Sequence, residues 1–269
     1  MPKKANKTKQ TNQTNQTNDY VPCEIIESEE VSESVIPVET QIPTKKPAVL
    51  STYYLEDPKI IEIGVDEVGR GPLFGRVYTA AVILPKDGTF DHSKMKDSKK
   101  FSSKKKISEA AQYIKDNAIA WNITYEDEKF IDEHNILLAT QKSMHKSIEG
   151  IISKYELNDS EKIQLLIDGN YFKPYTYFNK TKKMIEQVDH VCIEGGDNKY
   201  TAIAAASILA KVERDSYIEE LCNDHPELSE KYNINSNKGY GAKKHLDGIK
   251  EHGITIWHRR SFGICKNYI

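Results

Sequence analysis

Cysteine is scarce in this sequence, and the few cysteines lie far apart. No C-x-x-C pair occurs, and no histidine cluster has the spacing of zinc ligands. These absences argue against a disulfide scaffold or a structural zinc site, and they predict a reducing compartment. The four cysteines are Cys23, Cys192, Cys222 and Cys265.

Long apolar runs are also missing. No stretch approaches the roughly 20 apolar residues that cross a bilayer. The N-terminal residues 1–13 contain no apolar segment of the kind that a secretory signal needs. We therefore expect a soluble protein with no membrane partner, not secreted and located inside the cell: in the cytoplasm, the nucleus or the replication site of a host cell.

An excess of one sign of charge is absent as well. The 38 Lys and Arg residues nearly balance the 40 Asp and Glu residues, for a net charge of −2. The distribution is more informative than the total. Residues 94–106 hold seven lysines against one aspartate, and residues 231–269 hold eight Lys or Arg against two acids. Two such regions fit a protein that meets phosphate on one face, and solvated helical surfaces would explain them equally well.

Residues 1–55 differ in composition from the rest of the chain. A Lys-rich start and a TNQTNQTN repeat are followed by acidic and proline-dotted stretches. Such a segment cannot bury enough apolar area to offset the entropy of ordering, which predicts a disordered, low-complexity tail. Residues 56–269 are expected to form one domain that is long enough to bury its own core.

Apolar patterning in residues 56–269 predicts an α/β domain. Short buried runs bounded by Gly, Pro or acids predict strands, and apolar residues at helical spacing predict helices. Three strands come first and strands then alternate with helices, which favours a mixed central sheet flanked by helices. The predicted strands are 60–65, 77–84, 118–125, 163–167 and 190–193, and the predicted helices are 102–116, 131–154, 201–221 and 243–252.

Acidic residues follow two of these strands at the point where each strand ends. Asp66 and Glu67 come after the first strand and Asp168 after the fourth, while Asp197 stands between a Gly-Gly pair and the Ala-rich helix. If the two strands are neighbours, these carboxylates meet at one sheet edge, where their mutual repulsion calls for a cation. Mg²⁺ prefers oxygen ligands, and such a site suits metal-assisted hydrolysis of a phosphodiester. The alternative is that the acids are ordinary loop and cap residues.

The triplet Gly69-Arg70-Gly71 directly follows the first acid pair. Glycine lets the backbone approach a ligand closely, and exposed N–H groups there can bind phosphate or hydroxyl. Arg70 can pair with a phosphate through two hydrogen bonds. By itself, the triplet is also a common turn.

Eight sequence blocks, taken in order, resemble the type 2 ribonuclease H (ribonuclease HII) family. They span about residues 60–265, nearly all of the predicted domain, and the D-E-x-G-R-G block at Asp66 is the most specific of them. The blocks are GVDEVGRGPLFG at residue 64, DSKK at 97, IDEHNI at 131, DGN at 168, GD at 196, IAAASILAK at 203 with RD at 214, KGYG at 238 and HRRSFG at 258.

The resemblance implies a ribonuclease H-like fold and an endonuclease. Its expected activity is hydrolysis of the RNA strand of RNA–DNA hybrids and cleavage 5′ to single ribonucleotides embedded in duplex DNA, leaving 3′-hydroxyl and 5′-phosphate ends. The implied cofactor is Mg²⁺ or Mn²⁺. The implied role is removal of ribonucleotides and RNA primers during DNA replication and repair. The expected partner is an RNA–DNA hybrid or a DNA duplex with an embedded ribonucleotide, and we expect a monomer.

Position by position, the resemblance also assigns roles to residues. The four acids correspond to the catalytic, metal-binding residues, and the Gly-Arg-Gly loop corresponds to the backbone that senses the ribose 2′-hydroxyl, the group that separates RNA from DNA. Tyr240 corresponds to the family's tyrosine whose ring packs on the sugar of the adjoining deoxynucleotide. Lys99 is expected near the duplex backbone. The catalytic and metal-binding set is Asp66, Glu67, Asp168 and Asp197, and the substrate-binding set is Gly69, Arg70, Gly71, Tyr240 and Lys99.

Some features depart from the family pattern or leave a choice open. Ala242 stands where the family commonly has Thr, so one phosphate contact is expected to be missing. We expect one of Arg259 and Arg260 to face inward, and His258 to be a hydrogen-bonded structural residue. Two other functions remain open: a structure-selective DNA nuclease that ignores the 2′-hydroxyl, and a hybrid-binding protein without turnover.

Overall fold

The computed structural model describes residues 49–154, 162–179 and 182–268. The predicted disordered tail therefore lies outside the described residues up to position 48. Within the described part of the chain, no helix is both long and apolar enough to cross a membrane.

A mixed five-stranded sheet forms the centre of the fold, as predicted. Its spatial order is β3-β2-β1-β4-β7, and β5 and β6 form a separate two-stranded hairpin. Pairing is antiparallel between β1 and β2 and between β2 and β3, and parallel between β1 and β4 and between β4 and β7. The strands are β1 (Ile60–Val68), β2 (Val77–Ile83), β3 (Ala120–Glu126), β4 (Lys162–Asp168), β5 (Thr176–Asn179), β6 (Met184–Gln187) and β7 (Asp189–Ile193).

Helices cover both faces of the sheet. Side chains of a strand alternate between its two faces, so Ala80 and Val82 of β2 pack with α1 and α4. Ala81 and Ile83 pack on the other face with α3. The helices are α1 (Lys104–Asn117), α2 (Glu128–His134), α3 (Ile136–Lys154), α4 (Thr201–Asp224), α5 (Pro226–Tyr232), α6 (Ile234–Asn237) and α7 (Lys243–His252).

The Ala-rich helix α4 lies in direct backbone contact with the central strand. A Cβ added to Gly64 of β1 would lie 2.2 Å from the carbonyl carbon of Ala202, which no side chain tolerates. The first turns of α4 are fully enclosed, with Ala204, Ala205 and Ala206 each 0% exposed. Small residues on both elements thus bring the start of α4 to the sheet edge where β1 and β4 end.

The predicted helix 131–154 is wrong in one respect, because it is two helices. Asn135 separates α2 from α3 with a φ of +80°, a positive value that residues with a side chain adopt uncommonly. Its side chain accepts a hydrogen bond from Leu138 N at 3.0 Å and so caps α3. The β5–β6 hairpin was not predicted at all.

Residues 49–55, which the sequence analysis assigned to the tail, lie against the domain. Ser51 forms a bridge with Tyr200, and its carbonyl accepts from Thr201 N at 3.0 Å, at the first residue of α4. Leu55 N donates to Glu62 at 2.6 Å, and Lys86 pairs with the same buried carboxylate at 3.0 Å. This strap, residues 49–55, therefore holds the start of α4.

Candidate active site

Two parallel strands deliver carboxylates to one edge of the sheet. In the register of β1 and β4, Val65 is paired with Ile167, so the next residues, Asp66 and Asp168, lie side by side. Glu67 follows on β1. The ligand oxygens of these three acids all lie within 4.8 Å of one another. The structure thus brings together three of the four acids that the sequence suggested.

Asp66 is the most enclosed of the three, with 3% of its surface exposed. Its Oδ1 accepts a hydrogen bond from Glu67 N at 2.6 Å, and Ser207 of α4 supplies a further hydrogen bond to the carboxylate. Burial raises the pKa of Asp66 well above its usual value, and the charges of Glu67 and Asp168 raise it further. The hydrogen bonds oppose that rise without cancelling it.

The pKa values of the other two carboxyls, Glu67 and Asp168, are raised as well. Burial raises the pKa of Glu67, and Arg70 opposes the rise with Nη1 3.3 Å from Oε1. Burial also raises the pKa of Asp168, against a hydrogen bond of 2.6 Å from Gly196 N to its Oδ1. All three acids therefore lie where the ionised form is disfavoured unless positive charge is brought to them.

Asp197 lies beside this group, in the 3-10 turn Gly196–Asn198 that precedes α4. It is buried, and its Oδ1 accepts from Asn198 Nδ2 at 3.0 Å. Its charge contributes to the raised pKa of Asp168, so it lies close enough to act on that carboxylate. Asp197 is not among the acids whose oxygens lie within 4.8 Å, and its place is at the margin of the cluster.

The donor set fits a hard divalent cation. The cluster consists of carboxylates, with no histidine or cysteine among its described members. Mg²⁺ and Mn²⁺ take oxygen ligands of this kind, and a cation there would offset the burial and repulsion that raise the three pKa values. Asp66, Glu67 and Asp168 are the residues that would hold it, with Asp197 alongside.

The Gly69-Arg70-Gly71 loop is held from the protein interior by Arg259. This arginine is 0% exposed, whereas Arg260 is exposed, which confirms that one of the pair faces inward. The Arg259 guanidinium donates to four carbonyl oxygens of the loop and the residues after it. They belong to Gly69 at 2.6 Å, Pro72 at 2.9 Å, Gly75 at 2.8 Å and Arg70 at 3.0 Å.

Carbonyls that face inward turn the neighbouring N–H groups outward. In a trans peptide the C=O of one residue and the N–H of the next point in opposite directions. Because Arg259 binds the carbonyls of Gly69 and Arg70, the N–H groups of Arg70 and Gly71 point to the exposed side. Gly69 has a φ of +91°, which side-chain-bearing residues rarely adopt. The loop thus presents backbone donors next to the acids.

Tyr240 lies against the same loop. Its residue is 48% exposed, and a Cβ on Gly71 would lie 3.6 Å from its Cε1. Beneath both lies Arg214, which is 1% exposed and donates to Lys238 O at 2.9 Å. A Cβ on Gly69 would lie 2.4 Å from Arg214 Nε. One buried arginine therefore packs under the glycine loop and supports the turn that carries Tyr240.

Lys99 is exposed on the 3-10 turn Ser98–Lys100. Asp97 caps this turn by accepting from Lys99 N at 2.9 Å. The side-chain amide of Asn198 lies 3.3 Å from Asp97 Oδ2 and 3.0 Å from Asp197 Oδ1. The lysine-rich turn is therefore tied to the acidic edge of the sheet, with Lys99 itself facing solvent.

Two buried residues beside the acids and the glycine loop were not singled out from the sequence. Arg214 entered only as part of one of the eight blocks, and nothing local distinguishes a buried arginine from an exposed one. Ser207 is the one hydroxyl within the alanine-rich stretch 202–210 of α4, which was the available signal. Its Oγ lies 3.1 Å from Ser98 Oγ, so it connects the lysine-rich turn with the Asp66 carboxylate.

Comparison with known proteins adds a family to this geometry. The model of a family described as Ribonuclease HII matches residues 63–265. The chain is 43% identical over 202 residues to ribonuclease HII of Cytophaga hutchinsonii, covering 75% of this chain and 89% of that protein. It is 42% identical over 209 residues to ribonuclease HII of Parabacteroides distasonis, covering 78% and 92%.

Solved structures share the fold at lower identity. The ribonuclease H2 of Pyrococcus horikoshii OT3 superposes with a TM-score of 0.58 at 20% identity, over 77% of this chain and 96% of that one. Bst-RNase HIII, solved in complex with Mn²⁺, superposes with a TM-score of 0.56 at 20% identity, over 78% of this chain and 69% of that one. These likenesses confirm the ribonuclease H-like fold.

Proposed function

The chain belongs to the ribonuclease HII family and is an endonuclease of the ribonuclease H type that acts on RNA–DNA hybrids, and we propose that it also cuts 5′ to single ribonucleotides in duplex DNA. The observation that carries this proposal is the meeting of three buried carboxylates with a loop of outward-facing N–H groups. The first feature suits phosphodiester hydrolysis, and the second suits recognition of a ribose hydroxyl.

Asp66, Glu67 and Asp168 hold the divalent cation in this proposal, with Asp197 completing the site. The ion is Mg²⁺ or Mn²⁺, in line with the oxygen donors. When bound, such a cation activates water at neutral pH and stabilises charge on the leaving oxygen of a phosphodiester. The chain's own part is to hold the carboxylates of Asp66 and Asp168 in place and to oppose part of the rise in their pKa. Ser207 and the N–H groups of Glu67 and Gly196 do this through the hydrogen bonds described above.

Selection of the ribonucleotide falls to the glycine loop and to Tyr240. The N–H groups of Arg70 and Gly71 lie where they can bind a 2′-hydroxyl, because Arg259 turns the carbonyls away. The half-exposed Tyr240 ring packs on the neighbouring deoxyribose, where an additional hydroxyl would be disfavoured. Cleavage 5′ to the ribonucleotide then leaves 3′-hydroxyl and 5′-phosphate ends, the products required for ribonucleotide and primer removal during replication and repair.

Lys99 and its neighbours supply affinity that does not depend on sequence. The exposed lysines of residues 94–106 can contact duplex phosphates. Each such contact adds affinity at low salt and makes the affinity fall more steeply as the salt concentration rises. Arg70 contributes a further cation at the site itself. We propose that residues 56–269, with the strap, act as a monomer inside the cell.

A duplex with one embedded ribonucleotide tests the function. The strand is end-labelled and incubated with protein and Mg²⁺ or Mn²⁺, beside an all-DNA duplex and a chelator control. We expect one cut 5′ to the ribonucleotide that requires the metal, and none in all-DNA. Asp168→Asn should abolish cleavage, whereas Asp189→Asn, which alters an exposed aspartate on β7, should not.

The outcomes separate the alternatives. Cleavage of the all-DNA duplex at the same rate would identify a DNA nuclease that ignores the 2′-hydroxyl. Binding without cleavage under both metals would identify a hybrid-binding protein. Full turnover by a folded Asp168→Asn protein would overturn the assignment of the acids.

A further inference from the structure

A chain of hydrogen bonds crosses the interior behind Tyr240. His258 Nδ1 lies 2.9 Å from Thr255 N, and His258 Nε2 lies 3.1 Å from His245 Nε2. His245 Nδ1 lies 2.9 Å from the carbonyl oxygen of Tyr240. Both imidazoles are enclosed, at 0% exposure for His245 and 1% for His258, as predicted for a structural role of His258.

The groups at the two ends of this chain of hydrogen bonds determine which imidazole nitrogens carry protons. A backbone N–H can only donate, so Thr255 requires a lone pair on His258 Nδ1, which leaves the proton on Nε2. A carbonyl oxygen can only accept, so Tyr240 requires a proton on His245 Nδ1, which leaves the lone pair on its Nε2. The two assignments agree, because the His258 Nε2–H then donates to the His245 lone pair. Every bond in the chain therefore runs in one direction, from Thr255 to Tyr240.

The surroundings favour two neutral imidazoles. The His258 ring packs edge-on against Phe74 and Tyr232, with centroids 5.0 Å and 5.2 Å away. Of these neighbours only Tyr232 can titrate, and burial raises its pKa. Burial lowers the pKa of His258 to about 3 and lowers that of His245 as well. An added proton would oppose either Thr255 N–H or the other imidazole, so the chain has one stable arrangement.

The chain of hydrogen bonds ends at the turn that carries Tyr240, and other contacts of this turn keep the Tyr240 ring over the glycine loop. The Tyr240 carbonyl accepts from Ala242 N at 2.7 Å as well as from His245. Gly239 has a φ of +85°, and its neighbour Leu73 donates to Gly239 O at 2.8 Å. His245 is therefore the side chain that binds this carbonyl, at 2.9 Å, alongside the backbone N–H of Ala242.

We propose that His245 and His258 are positioning residues that act through Tyr240, by holding its carbonyl so that the ring stays over the substrate sugar. The inference rests on the proposed role of Tyr240 and names what supports it. Neither histidine takes part in the reaction itself, because both side chains are enclosed.

A double-mutant cycle tests this coupling. Cleavage of the single-ribonucleotide duplex is measured for the unaltered protein, His245→Leu, Tyr240→Ala and the double variant. We expect His245→Leu to lower kcat/KM about tenfold, a loss of about 1.4 kcal/mol of transition-state stabilisation. In the Tyr240→Ala background the same change should lower kcat/KM less than about twofold, because the ring it positions is gone.

Two further variants guard against a trivial loss of folding. His245→Asn keeps a side-chain N–H near the position of Nδ1 and should restore most of the activity lost in His245→Leu. His252→Leu removes an exposed histidine from the same helix and should leave kcat/KM unchanged. Circular dichroism confirms that each variant is folded before it is assayed.

Each failure has its own signature. Equal losses from His245→Leu in both backgrounds, or no loss in either, would overturn the positioning role while Tyr240→Ala remains impaired. No loss from Tyr240→Ala would instead overturn the proposed role of Tyr240 and the inference with it. Failure of the unaltered protein to cut would overturn the proposed function as a whole.

Discussion

Replacing Arg259 by methionine tests whether one buried guanidinium holds the glycine loop. The change keeps a long side chain but removes five N–H donors from a site that is 0% exposed. The carbonyls of Gly69, Pro72 and Gly75 would lose their donor inside the protein, since these three residues are buried, while Arg70 can turn to solvent.

The size of the effect follows from those three carbonyls. Leaving a buried acceptor unsatisfied costs about 1–3 kcal/mol, so values near the lower end give a loss of about 4 kcal/mol in the free energy of unfolding. The removal of a buried charge offsets part of a larger loss, because burial lowers the pKa of Arg259 to about 9. For a domain of this length the loss corresponds to a fall of about 8–16 °C in Tm.

Equilibrium urea unfolding, followed by tryptophan fluorescence, measures this loss. Arg260→Met is the matched control, because the neighbouring arginine is exposed and should change stability by less than about 0.5 kcal/mol. We also expect Arg259→Met to impair cleavage at temperatures where it remains folded, since the loop N–H groups lose their orientation. Equal stability of the two variants would refute the reasoning.

Three other predictions follow from the site and its supports. Asp66→Asn should raise the Tm of the protein in chelator. The pKa of Asp66 is higher in the folded than in the unfolded protein, so the unaltered protein loses stability as pH rises from the unfolded to the folded pKa, by about 1.4 kcal/mol per unit of difference. In thermal melts from pH 4 to pH 8, the Tm difference between Asp66→Asn and the unaltered protein should widen with pH and then level off. Removal of residues 1–48 should leave cleavage intact, whereas removal of residues 1–55 should lower both Tm and activity, because the strap at the start of α4 is lost. Equal Tm and activity of the two truncated proteins would show that the strap does not stabilise α4. Gly69→Ala should reduce cleavage of the ribonucleotide duplex by at least about tenfold, because Gly69 has a φ of +91° and an added Cβ would lie 2.4 Å from Arg214 Nε. Gly88→Ala, measured in the same kinetic assay, is the control: no atom lies within 4 Å of its added Cβ, so it shows the effect of losing a glycine without a clash.

Much of the fold could be predicted because its signals are local. The run of apolar residues before Asp66 and the run before Asp168 each specify a strand that ends on an acid. The alanines of α4 are the strongest helix formers, and a helix was predicted at 201–221, inside the observed Thr201–Asp224. The mixed order of strands and helices then left few ways to arrange a sheet.

Other features depend on contacts between residues far apart in the sequence. Arg259 and Arg260 are chemically identical neighbours, and only the packing of the loop after β1 decides which one is enclosed. The break at Asn135 was missed because apolar spacing continues through it, while the backbone turns at a single residue with positive φ. The strap was assigned to the tail because it directly follows the proline-dotted stretch, although its own sequence VLSTYYL is apolar and aromatic. Its contacts with Glu62 and Thr201 of the domain hold it in place.

The sequence by itself therefore determined the identity of the acids, the loop beside them and the family, because these rest on residue types at short spacing. The tertiary structure decided how close the acids come and which buried groups support them. Strand register places Asp66 beside Asp168, and hydrogen bonds between distant residues tie Arg259 to the glycine loop and Arg214 to Lys238. Such contacts join residues that are tens to hundreds of positions apart along the chain, and no local pattern encodes the partner of a buried polar group.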